Sequence, residues 1–184
     1  LYTYPEALDA AILSGTGWER IAAVRAGLLL CRTEQKRLGE KAVSPLITKL
    51  MFGSYNKAFA PARTKDDWIC SDPAVVDAYA ADELCGFDPT VGLARELLTG
   101  VQMNEEVSNL QKMNKLLPVL FVSGMQDPVG GMGRGVLRCI DAFKRSGMKK
   151  ITIKLYPNGR HEMLNEVNHT EVFREILGWL GQNA

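Results

Sequence analysis

Two strand-like runs between residues 116 and 166 constrain the fold more than any other part of the chain. Residues 119–123 form an apolar run rich in β-branched and aromatic side chains, which is typical of a strand buried on both faces of a parallel sheet. Residues 151–156 alternate apolar and polar, which predicts a strand with one face exposed to solvent, at the edge of the sheet. A helical pattern separates the two runs. Together they predict one βαβ unit of an α/β fold.

A carboxylate and an imidazole follow the carboxyl ends of these two strands. Asp127 comes shortly after the first strand, and His161 lies in the loop after the second. Because parallel strands end at the same edge of a sheet, we expect the two side chains to meet there. A carboxylate that accepts the Nδ1 proton of a histidine fixes its tautomer and stabilises the imidazolium formed when the other nitrogen takes a proton from a nucleophile. A surface-loop histidine is the alternative for His161.

Three motifs carry a resemblance to a known family. They are Gly-Met-Gln-Asp-Pro-Val-Gly at 124–130, Gly-Arg-Gly-Val at 133–136 and Leu-Tyr-Pro-x-x-Arg-His-Glu-x-Leu-Asn-Glu at 155–166. They resemble the carboxyl-terminal part of the monoacylglycerol lipase and lysophospholipase (serine aminopeptidase-like) group of α/β-hydrolases. Residues 3–17 resemble the strand that follows the nucleophile helix in that group. The resemblance covers most of the chain and is weakest in the middle.

The resemblance implies that Asp127 is the triad acid and His161 the triad base, in the chain order that α/β-hydrolases use. No nucleophile is identified in this chain. Gly-x-Ser-x-Gly does not occur, and Ser14 follows a strand without that turn, so a polar strand-end role fits it better. By family analogy, the nucleophile and both oxyanion-hole amides precede residue 1. We therefore expect the carboxyl-terminal portion of a larger enzyme, inactive by itself.

The resemblance also implies a reaction. The whole enzyme is expected to be a serine hydrolase that cleaves carboxylic esters of single-chain acyl substrates, of monoacylglycerol or lysophospholipid type, through an acyl-enzyme. No metal or organic cofactor is implied. A second hypothesis stays open, namely a non-catalytic α/β-hydrolase-like binding or interaction module, because a missing nucleophile is also what such a module would show.

Three segments are predicted. Residues 1–17 contain a core strand, residues 18–112 form a helical insertion used by the family as a cap over the acyl pocket, and residues 113–184 form the carboxyl-terminal core with the acid and histidine loops. The fold class is thus the carboxyl-terminal part of an α/β-hydrolase parallel sheet with a helical cap insertion. Asp72-Pro73 and Asp88-Pro89 each predict a helix start, because aspartate caps free amides and proline fits the first turn.

The large apolar residues of the insertion have two interpretations. They could line an acyl-chain pocket, or they could pack the insertion's own core, which is the commoner role of such residues. The candidates are Leu28, Leu29, Leu30, Met51, Phe52, Tyr55, Phe59 and Trp68.

Composition argues against several partners. The chain has 22 basic and 21 acidic residues, so its balanced charge indicates neither a nucleic acid nor a membrane surface. No apolar run approaches the roughly 18 residues of a transmembrane helix, and these residues contain no signal peptide, although an amino-terminal half that precedes them could carry one. Four cysteines without a Cys-x-x-Cys pair or a histidine cluster argue against a metal site and predict free thiols in the cytoplasm. The glycines at 130–135 lack the spacing of a phosphate-binding loop and predict a helix start.

The predicted strand at residues 8–13 (Leu8 to Leu13) suggests one further partner. It would be central in a complete hydrolase, so here its outer edge would be bare. A bare apolar edge pairs readily with another strand. We expect the upstream half of the same protein, or a second copy of the chain, to pair along it. The small acyl-ester substrate is the other expected partner.

Overall fold

The structure is a computed structural model that describes residues 1–183. Its centre is a parallel sheet of three strands in the order β1 (Ala11–Ser14), β2 (Val119–Gly124) and β3 (Ile151–Tyr156). The predicted parallel α/β sheet is confirmed. The first strand begins at Ala11 rather than Leu8, because hydrogen bonding to the neighbouring strand starts only where the Ala11 amide donates to the Pro118 carbonyl.

The central strand has no exposed face. All six residues of β2 are buried, and alternate side chains enter two separate hydrophobic clusters. Phe121 packs on one face against Phe143, with ring centroids 5.3 Å apart. Leu120 packs on the other face in a cluster with Val172. This double burial explains why the run is apolar throughout, whereas β3 at the edge leaves Ile153 exposed.

Residues 1–183 contain seven α-helices in addition to the sheet. Five of them, with a 3₁₀ turn at Tyr55–Phe59, lie between β1 and β2, the sixth connects β2 to β3, and the seventh follows β3. They are α1 (Ile21–Leu38), α2 (Pro45–Phe52), α3 (Pro73–Ala81), α4 (Val91–Glu105), α5 (Val107–Leu110), α6 (Arg134–Arg145) and α7 (His169–Asn183). None of these helices combines the length and apolar character needed to span a bilayer.

The predicted start of α3 matches the structure, but its predicted end does not. The Asp72 carboxylate accepts from the Ala74 amide at 2.9 Å, with proline at the first helical position. The sequence pattern predicts a helix as far as Gly86, whereas α3 ends at Ala81. Asp82 has an extended backbone, and its carboxylate accepts from the Leu84 amide at 2.8 Å, so the chain turns there.

The predicted helix start at Asp88-Pro89 is wrong. Thr90 is the residue that caps α4, with its hydroxyl accepting from the Leu93 amide at 3.2 Å. A long-range contact explains the difference. Thr90 forms a backbone bridge with Val43, and the Val91 amide donates to the Ala42 carbonyl at 2.8 Å. The segment is therefore extended until it has crossed the loop before α2.

A buried carboxylate joins α1 to the start of α2. Glu34 is 4% exposed, and its oxygens accept from the Arg37 guanidinium at 2.8 and 2.9 Å and from the Ser44 hydroxyl. These hydrogen bonds lower the pKa of Glu34 to about 2. Ser44 in turn caps α2 by accepting from the Ile47 amide. The helical insertion is thus held by specific polar contacts as well as by small hydrophobic clusters.

Candidate active site

The acid loop begins where β2 ends. Asp127 is fully buried, and its carboxylate Oδ1 accepts from the Val129 amide at 2.8 Å. Its carbonyl accepts from the Met132 amide at 2.8 Å, which closes the loop before α6. The first bond fixes one carboxylate oxygen, and the second fixes the backbone of Asp127. Its second oxygen, Oδ2, is left to face the histidine loop.

The histidine loop brings His161 to that oxygen. The His161 Nδ1 atom lies 3.1 Å from Asp127 Oδ2, and the imidazole is 29% exposed whereas the carboxylate is fully buried. The sequence prediction that the two side chains meet at the carboxyl edge of the sheet therefore agrees with the geometry. Because a carboxylate only accepts, Nδ1 carries the proton and Nε2 is the basic nitrogen.

Two glycines make room for this pair. At Gly15, just past β1, a Cβ atom would lie 2.9 Å from His161 Cε1, and the positive φ of 62° also favours glycine. At Gly124, a Cβ atom would collide with the carbonyl oxygen of Gly159. The ends of β1 and β2 therefore approach the histidine loop more closely than a residue with a side chain would permit.

An aromatic cluster from the insertion covers the imidazole. The Trp68 ring lies 5.4 Å from the His161 ring, centroid to centroid, and the Tyr55 ring lies 4.9 Å from that of Trp68. Phe52 stacks against Trp68, with ring centroids 6.4 Å apart. Burial raises the pKa of Tyr55, and the nearby carboxylates of Glu19 and Asp127 raise it further. The sequence identified these aromatic residues as pocket or core candidates but gave no signal that they would contact His161.

A large apolar cavity lies next to this cluster. It has a volume of about 990 Å³ and runs between the sheet edge, α6 and the insertion. Three of the eight predicted pocket residues, Leu30, Met51 and Tyr55, line it. Leu29, by contrast, is 65% exposed. The other four, Leu28, Phe52, Phe59 and Trp68, do not line this cavity.

Part of the cavity wall is polar. The Glu105 carboxylate accepts from the Glu19 amide at 2.6 Å, and burial raises the pKa of Glu105. Cys139 also lines the cavity, and burial raises its pKa to about 12, which keeps the thiol protonated and poorly nucleophilic.

Ser14 and the second histidine of the chain, His169, lie outside the pair. Ser14 is exposed, and no hydrogen bond described for residues 1–183 joins it to His161. His169 opens α7, and its Nδ1 atom is 2.8 Å from the Glu166 carbonyl. Within the same part of the chain, no group of three or more histidine, cysteine, aspartate or glutamate side chains is arranged to hold a metal ion.

Fold and site together define a class. A parallel sheet with a buried acid after one strand and a histidine after the next is the arrangement of the α/β-hydrolases. The sequence model of the family described as serine aminopeptidase, S33, matches residues 1–168, and the chain belongs to this family.

Solved structures agree with this assignment. A highly thermostable carboxyl esterase from Bacillus coagulans is 26% identical, with a TM-score of 0.84, and the match covers 99% of this chain and 59% of the esterase. A lipase in its open form is 20% identical, with a TM-score of 0.82 over 96% of this chain and 57% of the lipase. A monoacylglycerol lipase from Paleococcus ferrophilus matches less closely, at 19% identity and a TM-score of 0.56, over 86% of this chain and 65% of that protein. The chain thus spans less than two thirds of the length of the proteins it resembles.

Proposed function

We propose that this chain is the part of a serine hydrolase that carries the acid and the histidine, and that the whole enzyme cleaves carboxylic esters. The observation that carries the proposal is the contact of 3.1 Å between His161 Nδ1 and buried Asp127 Oδ2. Asp127 orients the imidazole and stabilises its charged form. His161 takes the proton of the serine hydroxyl as that oxygen attacks the ester carbonyl, and then gives it to the leaving alcohol.

The proposal places the nucleophile and the oxyanion-hole amides outside residues 1–184. Within residues 1–183, β1 pairs with β2 alone, so its other edge has no strand partner there. The pairing edge that the sequence placed at residues 8–13 is thus the edge of β1, at residues 11–14. We propose that a strand of the upstream half of the same protein, or of a second copy, pairs along it. Intact mass and light scattering test this assignment, and a monomer of these 184 residues alone with full activity would contradict it.

The proposed substrate is an ester of a single acyl chain, of the monoacylglycerol or lysophospholipid type. The cavity supports this choice, because its volume of about 990 Å³ and mostly apolar lining suit an alkyl chain, and its lining includes Pro128 and Val129, which directly follow Asp127. The helical insertion forms most of its wall and would act as the cap. The solved structures of similar fold include a carboxyl esterase and a monoacylglycerol lipase, which points to the same substrate class.

The test uses the protein with its nucleophile segment present. We expect it to hydrolyse p-nitrophenyl acyl esters and 1-monoacylglycerols, and to be labelled by a fluorophosphonate. Asp127→Asn should lower kcat by roughly 10⁴-fold, the loss that this change of the triad acid causes in serine proteases, and His161→Ala should lower it by roughly 10⁶-fold. His169→Ala is the matched control and should retain activity, since His169 lies outside the pair.

Unchanged hydrolysis in both Asp127→Asn and His161→Ala would overturn the assignment of the pair. A protein that neither hydrolyses these esters nor reacts with the fluorophosphonate would instead be the non-catalytic module that the sequence left open.

A further inference from the structure

The histidine loop, which follows β3, is hydrogen-bonded to one short segment of the insertion, residues 67–71. The Arg160 guanidinium donates from Nη1 to the carbonyls of Asp67 and Cys70, the latter at 3.0 Å. Its carbon Cζ lies 4.0 Å from the centroid of the Phe59 ring, so the cation also stacks on the insertion. Arg160 immediately precedes His161 in the chain. Any movement of this segment therefore acts on the residue next to the imidazole.

Glu166 joins the same two parts from the other side. It is 1% exposed, and its Oε1 atom accepts from the Arg160 amide at 2.8 Å and from the Ser71 amide at 3.0 Å. Its Oε2 atom accepts from the Ser71 hydroxyl. A buried carboxylate is stable only when its oxygens are well hydrogen-bonded. These donors come from both the histidine loop and the insertion, so Glu166 satisfies its charge only when the two are docked.

Two further bonds complete the contact. The Glu162 amide donates to the Ile69 carbonyl at 2.9 Å, and the Cys70 thiol donates to the Asn165 carbonyl at 3.3 Å. Trp68 lies in the middle of the bonded segment, with its ring against His161. Bonds on both sides of Trp68 therefore fix where its ring stands relative to the imidazole.

We propose that Glu166 is a positioning residue. Through Arg160 and residues 67–71 it holds the Trp68 ring next to the His161 ring, so that docking of the insertion and orientation of the imidazole are coupled. Asp127 fixes the imidazole at one nitrogen, which leaves rotation about that hydrogen bond. The Trp68 ring, tilted by 44° to the imidazole and 5.4 Å from it between centroids, restricts this rotation. The role rests on the proposed function, in which His161 is the base.

The coupling is measured in the intact protein by NMR, with histidine labelled with ¹³C at Cε1. His161→Gln assigns the signal by removing it. The ring current of Trp68 shifts the His161 Hε1 resonance, and Trp68→Leu removes that contribution. We expect Glu166→Leu to move the resonance towards its position in Trp68→Leu. Glu166→Gln should retain most of the wild-type shift, because an amide can still accept from both backbone amides and donate to the Ser71 hydroxyl.

Glu162→Leu is the matched control. It makes the same chemical change next to His161, but the Glu162 carboxylate accepts only from the Asn165 amide group and touches no insertion atom through a hydrogen bond. In Glu162→Leu, the His161 Hε1 resonance should stay at its wild-type position. Should Glu166→Leu fail to fold, Ser71→Ala decides instead, since it removes one donor from the insertion side and should shift the resonance in the same direction by less.

A His161 resonance that moves no further in Glu166→Leu, or in Ser71→Ala when that variant decides, than in Glu162→Leu would overturn the proposal. In esterase assays we expect Glu166→Leu to lower kcat about tenfold, which is a rise of about 1.4 kcal/mol in the barrier, with a smaller change in KM. If the wild type lacks ester hydrolysis, the proposed function fails. The NMR result still decides whether Glu166 positions His161.

Discussion

The central strand and the helical insertion bury their apolar residues to very different degrees. In β2, residues 119–122 have no exposed surface, and their side chains alternate between two clusters. In the insertion, Leu29, Leu50 and Leu97 are each more than half exposed, and the buried clusters are small. The difference shows that dense packing holds β2, the strand that leads into the Asp127 loop. The part that forms the cavity is held by a few polar contacts and can vary in shape at lower cost.

The largest effect on stability is expected at the strand. Phe121→Ala removes a fully buried ring that packs edge-on against Phe143, and should lower the free energy of unfolding by about 3–5 kcal/mol. Urea denaturation measures this. A loss below about 1 kcal/mol would mean that the strand is packed no more tightly than the insertion.

The next effect is on selectivity rather than stability. Leu30 on α1 lines the cavity, so Leu30→Trp should fill part of it and reduce kcat/KM for long-chain relative to short-chain esters by about tenfold or more. The comparison requires the protein with its nucleophile segment. Leu29→Trp is the matched control, because the adjacent residue on the same helix is 65% exposed and should leave the ratio unchanged. An unchanged ratio in Leu30→Trp would remove the cavity from the proposed substrate site.

A smaller effect, dependent on pH, is expected from Glu34. Its pKa is lowered from 4.5 to about 2 by hydrogen bonds from Arg37 and Ser44, so the folded state favours the ionised form. That stabilisation is fully present above pH 4.5 and is lost as the pH falls towards 2. Solvent screens the pair with Arg37, whose side chain is 62% exposed, so the contribution is modest.

We expect Glu34→Gln to be less stable than the wild type near neutral pH, with the difference shrinking between pH 4.5 and pH 2. Urea denaturation across this range measures it. A difference that stays constant with pH would show that the hydrogen bonds act without the charge.

The smallest effect is expected at the outer surface of the insertion. Leu29→Ser replaces an exposed leucine and should change the free energy of unfolding by less than about 0.5 kcal/mol. A thermal melt beside that of Phe121→Ala completes the contrast between the two regions. A loss as large as that of Phe121→Ala would show that another part of the protein covers Leu29.

The sequence predicted most of the sheet and both members of the proposed acid and histidine pair. Residues 119–123 were identifiable because a strand buried on both faces must be apolar throughout, and Asp127 and His161 because each follows a strand end. The sequence was less informative in the insertion. The start of α4 was misplaced because pairing of Thr90 with Val43 joins segments far apart in the chain, and no local pattern shows such a contact.

The sequence by itself determined the α/β class, the family and the residues at the carboxyl ends of the strands. Each of these depends on short-range pattern and motif spacing. Only the tertiary structure decided which insertion residues reach the site. Trp68 meets His161, and Glu166 meets Ser71, because the chain folds back over the sheet edge. Such contacts depend on the summed packing of several helices, which is a property of the folded molecule and leaves no periodic signal in the sequence.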